Sequence, residues 1–337
     1  MPIEKTFQYN LKGCGRPQIL LLGNGLEYES GQRSWTQLVD DLTLPENRGV
    51  YGAENLLFPL RYELLATPQH IKSPLSRADI EKEEKRLSTA MKSLVSETNP
   101  LLDVVPTLHM DHVLTTNYSY CLERAFWADD DFQKGSVRSK YRCYLTDRRE
   151  REYRLHTGYY FDDTSGKTHG TCIWHIHGEC SVPRGVVLGH DRYGRLLSKI
   201  ISCCEELVQR TKKLSPGALA LISWPELFLV GDVYILGFGF DECEFDLWWL
   251  LRRKQRERHA DGRVYFYDKP PISDEKKTRH LLLQANGVEI KTLGAPDTIT
   301  YDDFYWAGMQ DIQAMVSKRR ARPKQINYDF FLYNCSV

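Results

Sequence analysis

Short apolar runs that end in glycine, asparagine, histidine or aspartate set the plan of the chain. Ile19-Leu20-Leu21-Leu22 follows a polar start and reads as a buried parallel strand, because a strand covered on both faces shows a continuous apolar run where a half-buried one alternates. His112-Val113-Leu114-Thr115-Thr116 reads as a second such strand, and Val233-Tyr234-Ile235-Leu236 as a central one. Arg263 to Asp268 and Val288-Glu289-Ile290 are further strands. Helical periodicity fills the intervals. Ser34 is placed to cap a helix with Trp35, Leu38, Val39 and Leu42 on its apolar face. Residues 76–97 put Ile80, Leu87, Met91, Leu94 and Val95 on one stripe, with charge opposite. Tyr118 to Trp127 turns Leu122 and Phe126 inward, and a helix from Asp191 to about Gln209 carries Leu196, Leu197, Ile200, Leu207 and Val208. A helix from about Glu242 to Arg256 carries Phe245, Trp248, Trp249 and Leu250, and residues 301–320 form a last one with Phe304, Trp306, Met309, Ile312 and Val316. Strands alternating with helices predict one α/β sheet.

Three stretches refine that plan. In Ile173-Trp174-His175-Ile176-His177-Gly178, strand alternation puts Cys172, Trp174 and Ile176 on one face and Ile173, His175 and His177 on the other. Gly178 lets the chain turn at once, which leaves His177 at the lip of the turn as either a general base or an ordinary hydrogen-bonded histidine. Gly185 to His190 reads as a further short strand with a glycine end. Residues 128–170 do not read as sheet core: Asp129-Asp130-Asp131 gives way to a basic stretch with interleaved tyrosines, from Lys134 to Arg154. This is expected to be an exposed hairpin or a small inserted subdomain. It is solvated, or binds phosphate or nucleic acid, or contacts a protein. Residues 44–75 are interrupted by Pro45, Pro59, Pro68 and Pro74 and give no clear element.

Composition narrows the class. Lys plus Arg equals 45 and Asp plus Glu equals 45, so the formal net charge is zero, which argues against a dedicated nucleic-acid coat. No run approaches the ~20 apolar residues of a membrane helix, and the polar start is unlike a signal or transit peptide, so a cytoplasmic protein is expected. No pair of the nine cysteines has Cys-x-x-Cys spacing, so neither a zinc site nor a disulfide framework is expected. No internal repeat is present.

The candidate chemistry sits at strand ends. Gly23-Asn24-Gly25 follows the first strand directly and leaves room for backbone to approach a ligand, although the full dinucleotide spacing is absent. Asn117 stands at the carboxyl end of the second strand, either capping the next helix or meeting a ligand with an amide that donates and accepts together. Gly237-Phe238-Gly239 repeats the glycine turn after the central strand. Asp268 ends the next strand, where an acid takes ribose hydroxyls or caps a loop. Glu244 and Asp246 fall in a first helical turn and suit its dipole.

Four segments in this order, Leu20 to Gly25, Leu114 to Tyr118, His175 to Gly178 and Tyr234 to Gly239, resemble a sirtuin-like NAD-processing domain over roughly residues 17 to 295. The resemblance is strongest to bacterial sirtuin-like proteins of antiphage defence, which hydrolyse NAD. Ile173 to Glu179, followed by Val187 to Tyr193, is particularly similar to the branch that works with a HerA-type hexameric ATPase. The resemblance implies a Rossmann-like parallel sheet of sirtuin type, with residues 1–295 as catalytic domain and 296–337, including the aromatic run Tyr328 to Tyr333, as an oligomer or partner contact. It implies that Gly23, Asn24 and Gly25 form the dinucleotide turn, with Thr116 beside it. Asn117 and His177 are the catalytic pair, Gly237 and Gly239 contact phosphate or ribose, and Asp268 lies on the ribose or adenine side. His175 becomes a partner behind His177, and His190 a structural or ribose-adjacent residue. Ser119 replaces an aspartate common in the family. NAD is the implied substrate, without zinc, and the missing zinc ribbon points away from a lysine deacylase. A homo-oligomer with a ring ATPase follows from the resemblance, with nucleic acid reached only through that partner. The alternative is an NAD- or ADP-ribose-binding sensor or scaffold in an ATPase–nuclease complex.

Overall fold

A computed structural model describes residues 7–10, 15–29, 34–68, 76–92, 99–127, 137–138, 141–146, 152–163, 170–211, 218–257, 262–295 and 299–320. The strands are β1 (Phe7–Asn10), β2 (Gln18–Leu22), β3 (His112–Thr115), β4 (Val137–Arg138), β5 (Tyr141–Leu145), β6 (Tyr159–Asp163), β7 (Thr171–His175), β8 (Ala218–Leu221), β9 (Asp232–Leu236), β10 (Val264–Asp268) and β11 (Val288–Thr292). The helices are α1 (Gly25–Glu29), α2 (Trp35–Leu42), α3 (Phe58–Ala66), α4 (Arg77–Lys92), α5 (Cys121–Phe126), α6 (His190–Thr211), α7 (Trp224–Val230), α8 (Phe245–Arg256), α9 (Asp274–Ala285) and α10 (Tyr301–Arg320).

Nine strands share one sheet in the order β11-β10-β9-β2-β3-β7-β6-β5-β4, and β1 pairs with β8 apart from it. From β11 to β7 the neighbours are parallel. The apolar runs explain this arrangement. Along the central strands Leu20, Leu22, Val113, Ile173, Tyr234 and Leu236 face one cluster, shared with α5 and α10. Ile19, Leu21, Leu114, Trp174, Val233 and Ile235 face the other, shared with α6, α7 and α8. Both faces are covered, and each such side chain contributes about 1.5–3 kcal/mol of burial. From β2 the chain moves to one side through β3 and β7, then to the other through β9, β10 and β11. The crossovers therefore diverge between β2 and β9, and the crevice outside the carboxyl ends of those two strands is where such a sheet takes a ligand.

Several sequence expectations change. The stretch at 128–170 is not a separate subdomain where it is described: β6 pairs with β7, β5 with β6 and β4 with β5, all antiparallel, so it widens the main sheet. Cys143, Tyr159, Tyr160 and Phe161 are buried there. The backbone groups along the open edge of β7 need partners, and the hairpin supplies them. Since β6 takes that edge, residues 186–189 cannot join the sheet as the expected strand. Pro183–Gly185 makes a 3-10 turn, and the following residues run buried without a ladder, with the Val187 N–H donating to the His177 carbonyl at 2.8 Å.

The expected helices α2 and α4 join α3, which arises in the stretch where no clear element was expected, in a small helical unit. Ser34 caps α2, accepting from the Gln37 N–H at 3.2 Å while the Gln37 side chain accepts from the Ser34 N–H at 2.7 Å. Leu38, Val39, Leu42, Tyr62, Leu65, Leu87 and Met91 from α2, α3 and α4 form their own cluster over Tyr118, Val186 and Leu188. Ile80 is exposed instead of joining that stripe. The inward face of α8 holds Asp246, Leu247, Leu250, Leu251 and Lys254, with Phe245 turned out. In α10, Phe304, Met309, Ile312 and Val316 are buried in the main core. Leu94, Val95 and the aromatic run from Tyr328 lie outside the described residues.

Candidate active site

The two glycine turns meet at the crevice between β2 and β9. The Gly23 N–H donates to the Leu236 carbonyl at 3.2 Å, and the Gly25 N–H donates to the Gly237 carbonyl at 2.9 Å. A β-carbon on Gly23 would lie 2.7 Å from the Phe238 Cα, so only glycine lets the turns pack this closely. Gly237 has φ of +67°, a left-handed conformation, and a side chain there would overlap Leu26. The packed turns floor a cleft of 450 Å³ lined by Asn24, Gly25, Thr116, Gly237, Gly239 and Asp268, with Trp35 and Glu244 also on its wall.

Asn117 lies just behind this floor. β3 ends at Thr115, and residues 116–120 form a loop before α5 starts at Cys121, later than expected. Asn117 is therefore not a helix cap. Its Nδ2 donates to the Gly23 carbonyl at 3.3 Å and to Glu27 Oε1 at 2.8 Å, while its backbone N–H donates to Thr115 Oγ1 at 3.1 Å. Asn117 Oδ1 is buried with no hydrogen-bond partner among the described residues. Glu27, on α1, also accepts from Ser119 Oγ at 2.6 Å. Burial pushes the Glu27 carboxyl up, and the Ser119 and Asn117 hydrogen bonds pull the other way. A carboxylate thus stands in contact with Ser119, which occupies the position of the family's acid, but it comes from a different element.

The two histidines of β7 and its turn part company. β7 stops at His175, and Gly178, with φ of +95°, reverses the chain, so strand alternation no longer holds at His177. His175 lies by Tyr120 and Tyr159 and is 1 % exposed. Both of its ring nitrogens meet oxygens: Nδ1 donates to the Asn117 carbonyl at 2.7 Å, and Nε2 lies 2.8 Å from Glu123 Oε1. Burial alone would lower its pKa, but the Glu123 carboxylate raises it to about 9. His175 thus holds the backbone of Asn117.

His177 lies on the opposite side, its ring 5.4 Å from that of Tyr193 on α6. Its Nε2 donates to Asp246 Oδ2 at 2.9 Å and lies 3.7 Å from Glu244 Oε2. Tyr193 donates its hydroxyl to Glu244 at 3.2 Å. Asp246 is fully buried, and its Oδ1 has no partner among the described residues. Burial opposes protonation of His177, yet Asp246 and Glu244 raise its pKa. Burial likewise raises Glu244, to about 7, against the pull of His177 and with Asp246 adding to the rise. By donor type these three groups could also take up a cation, their atoms lying within 4.8 Å of one another. The 2.9 Å separation of His177 Nε2 and Asp246 Oδ2 is a hydrogen-bond distance and suits proton handling.

His177 does not line the glycine-floored cleft. It lines an adjoining pocket of 320 Å³, together with Tyr118, Tyr193, Leu56, Leu57 and Phe58, and the two cavities share Trp35, Asp241 and Glu244. Asp268 reaches the cleft but is engaged, with His280 Nε2 at 2.9 Å and its carboxylate accepting from the Lys269 N–H at 2.8 Å. His190 begins α6 on the surface. Sequence reasoning missed Glu27, Glu123 and the role of Asp246. A helical projection carries a signal for Asp246, four residues before the buried Leu250 and so on the inward stripe. Glu27 has only its closeness to the glycine turn.

Among the described residues no helix is long and apolar enough to cross a membrane, and no cysteine cluster suited to zinc is present. No curated protein matches the sequence. A family model described as a SIR2-like domain matches residues 111–291, more than half of the chain, and its span takes in Asn117, His177, Gly237, Gly239 and Asp268. With that match on a mostly parallel sheet whose glycine turns and asparagine meet at one crevice, the chain belongs to the SIR2-like family.

Proposed function

We propose that the protein hydrolyses NAD at the bond between nicotinamide and ribose. The observation that carries this reading is Asn117: a buried amide fixed by Glu27 and Gly23, with its oxygen unpartnered, directly behind a cleft floored by two glycine turns. Backbone N–H groups of such turns suit a diphosphate, and membership of the SIR2-like family is consistent with NAD chemistry. NAD carries a cationic leaving group, so its cleavage needs little acid assistance. The ribose carbon becomes oxocarbenium-like in the transition state. Asn117 lines neither of the two cavities, so its Oδ1 meets a ribose hydroxyl or the attacking water from behind the glycine turns, once a ligand seated on them opens that floor. The group of His177, Asp246 and Glu244 takes up the proton that the water loses.

Glu27 bears on the rival reading, a non-catalytic NAD or ADP-ribose sensor. Ser119 in place of an acid favours that reading, but the carboxyl group of Glu27 stands in contact with Ser119. Antiphage defence by NAD depletion, a homo-oligomer and a HerA-type ATPase partner complete the proposal. They are supported by the sequence resemblance and by the reasoning that an enzyme consuming NAD needs a gate.

The test is release of nicotinamide and ADP-ribose from NAD by the full chain, alone and with an ATPase of that type. Asn117→Ala and His177→Ala are expected to lose turnover while remaining folded, with a lowered melting temperature because each strips a partner from a buried carboxyl, Glu27 or Asp246. Wild-type turnover in either variant would refute the site. Tight NAD binding with no release by the wild type would favour the sensor.

A further inference from the structure

Two cavities meet at the proposed site, and the residue they share on the proton-handling side is Glu244. It lines the 450 Å³ cleft floored by the glycine turns and also the 320 Å³ pocket that contains His177. His177 lines only the second of these. Its Nε2 is committed to Asp246 at 2.9 Å, and Asp246 is wholly buried. A dinucleotide seated on the glycine turns therefore meets the carboxylate of Glu244 before it meets the imidazole.

We infer that Glu244 is a catalytic residue, the first acceptor of the proton lost by the attacking water, and that His177, itself held by Asp246, positions it and favours its charged form. The inference rests on the NAD-hydrolase reading. In the step, the bond from ribose C1′ to the nicotinamide nitrogen breaks and its electron pair leaves with nicotinamide. A bond forms from C1′ to the water oxygen, and the water's proton passes to the Glu244 carboxylate. Glu244 then returns that proton to solvent, so NAD and water become nicotinamide, ADP-ribose and one free proton.

The surroundings of Glu244 fit this role from every side. His177 faces it from the turn after β7, Tyr193 donates to it from α6 at 3.2 Å, and Asp246 stands on the same helix. Asp241 and Cys243 flank it in the loop before α8, and Tyr118 faces it from the loop after β3. Burial among further acids lifts its carboxyl to about 7, where a base gives up and takes protons near neutrality. The side chain is 14 % exposed, open enough to meet substrate and closed enough to hold that shift. Glu244 also occupies the N-cap position of α8, with φ of −77° and ψ of 57° outside the helical range, so its backbone is placed by the helix start and its side chain is free to face the cavities.

The experiment compares wild type, Glu244→Gln and Asp246→Asn as full chains, reading kcat, KM for NAD and the pH profile of kcat. Wild-type kcat is expected to rise with pH through about 7, because the carboxyl must lose its proton to act as base. Glu244→Gln is expected to lose about 100-fold or more in kcat and to lose that acidic limb, with KM changed less than about threefold. Asp246→Asn is expected to move the limb and keep it, as a positioning residue does. Glu244→Gln with wild-type kcat and an unaltered limb overturns the inference. If Glu244→Gln fails to fold, Glu244→Asp decides: it keeps the carboxylate but draws it back, and a loss of about tenfold with the limb retained supports the role, while unchanged kcat overturns it. The wild type and its variants are assayed alone and with the ring ATPase: a wild type that releases no nicotinamide in either preparation refutes the hydrolase reading itself and this inference with it, whereas an active wild type with an equally active Glu244→Gln refutes the inference alone.

Discussion

Replacing Glu123 by glutamine tests whether the core beneath the site carries a charged pair. His175 and Glu123 are 1 % and 0 % exposed, and both ring nitrogens of His175 face oxygens, at 2.7 and 2.8 Å. Two acceptors require two N–H groups, so the imidazole is cationic while Glu123 is ionised. Burial alone would lower the histidine pKa from 6.5; with Glu123, and with Glu179 adding to it, the value stands at about 9. That difference corresponds to about 3 kcal/mol. The folded value lies above the unfolded one, so the contribution is complete below about pH 6.5 and is lost as pH rises through about 9. Glu123→Gln removes the carboxylate and leaves a neutral, buried histidine. Urea unfolding should show the variant less stable than wild type by about 3 kcal/mol near pH 6.5, with the gap narrowing to under about 1 kcal/mol near pH 9.5. Other titrating groups are common to both proteins and cancel in the difference. A gap of the same size at both pH values would show that His175 is not charged in the fold and that the reasoning is wrong.

Three further outcomes follow from individual contacts. Glu27→Ala releases the amide of Asn117 and should lower NAD turnover about tenfold to hundredfold with KM little changed; steady-state kinetics and a melting curve check it, and unchanged turnover would remove Glu27 from the site. Gly237→Ala adds a side chain at φ of +67° against Leu26, costing about 1–2 kcal/mol for the backbone and more for the overlap; it should lower the melting temperature and weaken NAD binding together, because Leu26 sits on α1 beside Glu27. Lys254→Met removes an ammonium that donates to the carbonyls of Phe228, Leu229 and Gly231 at 2.9, 2.7 and 2.7 Å, and should cost about 3 kcal/mol in urea unfolding while NAD binding is retained.

The strands and their ends were legible in the chain because they are local. A strand buried on both faces must be apolar throughout, so Ile19 to Leu22 and Val233 to Leu236 announce themselves, and the glycines after them mark where backbone turns closely. The Ser34 cap is local for the same reason, although its reciprocal bond with Gln37 was seen only in the structure. By itself, then, the sequence determined the parallel core, the strand-end positions of Gly23, Asn117 and Gly237, and the resemblance they carry. It did not determine which groups face one another. Glu27 meets Asn117 across 90 residues, Asp246 meets His177 across 69, and Glu123 meets His175 across 52. No periodicity records a contact of that separation, and an acid in the first turn of a helix looks the same whether it serves the dipole or a buried imidazole. The antiparallel widening of the sheet was likewise decided by the open edge of β7, a feature that exists only once β3 and β7 are paired. Only the tertiary structure separated His175 from His177, because alternation ends where the strand ends, and Gly178 turns the chain between one face of the sheet and the other.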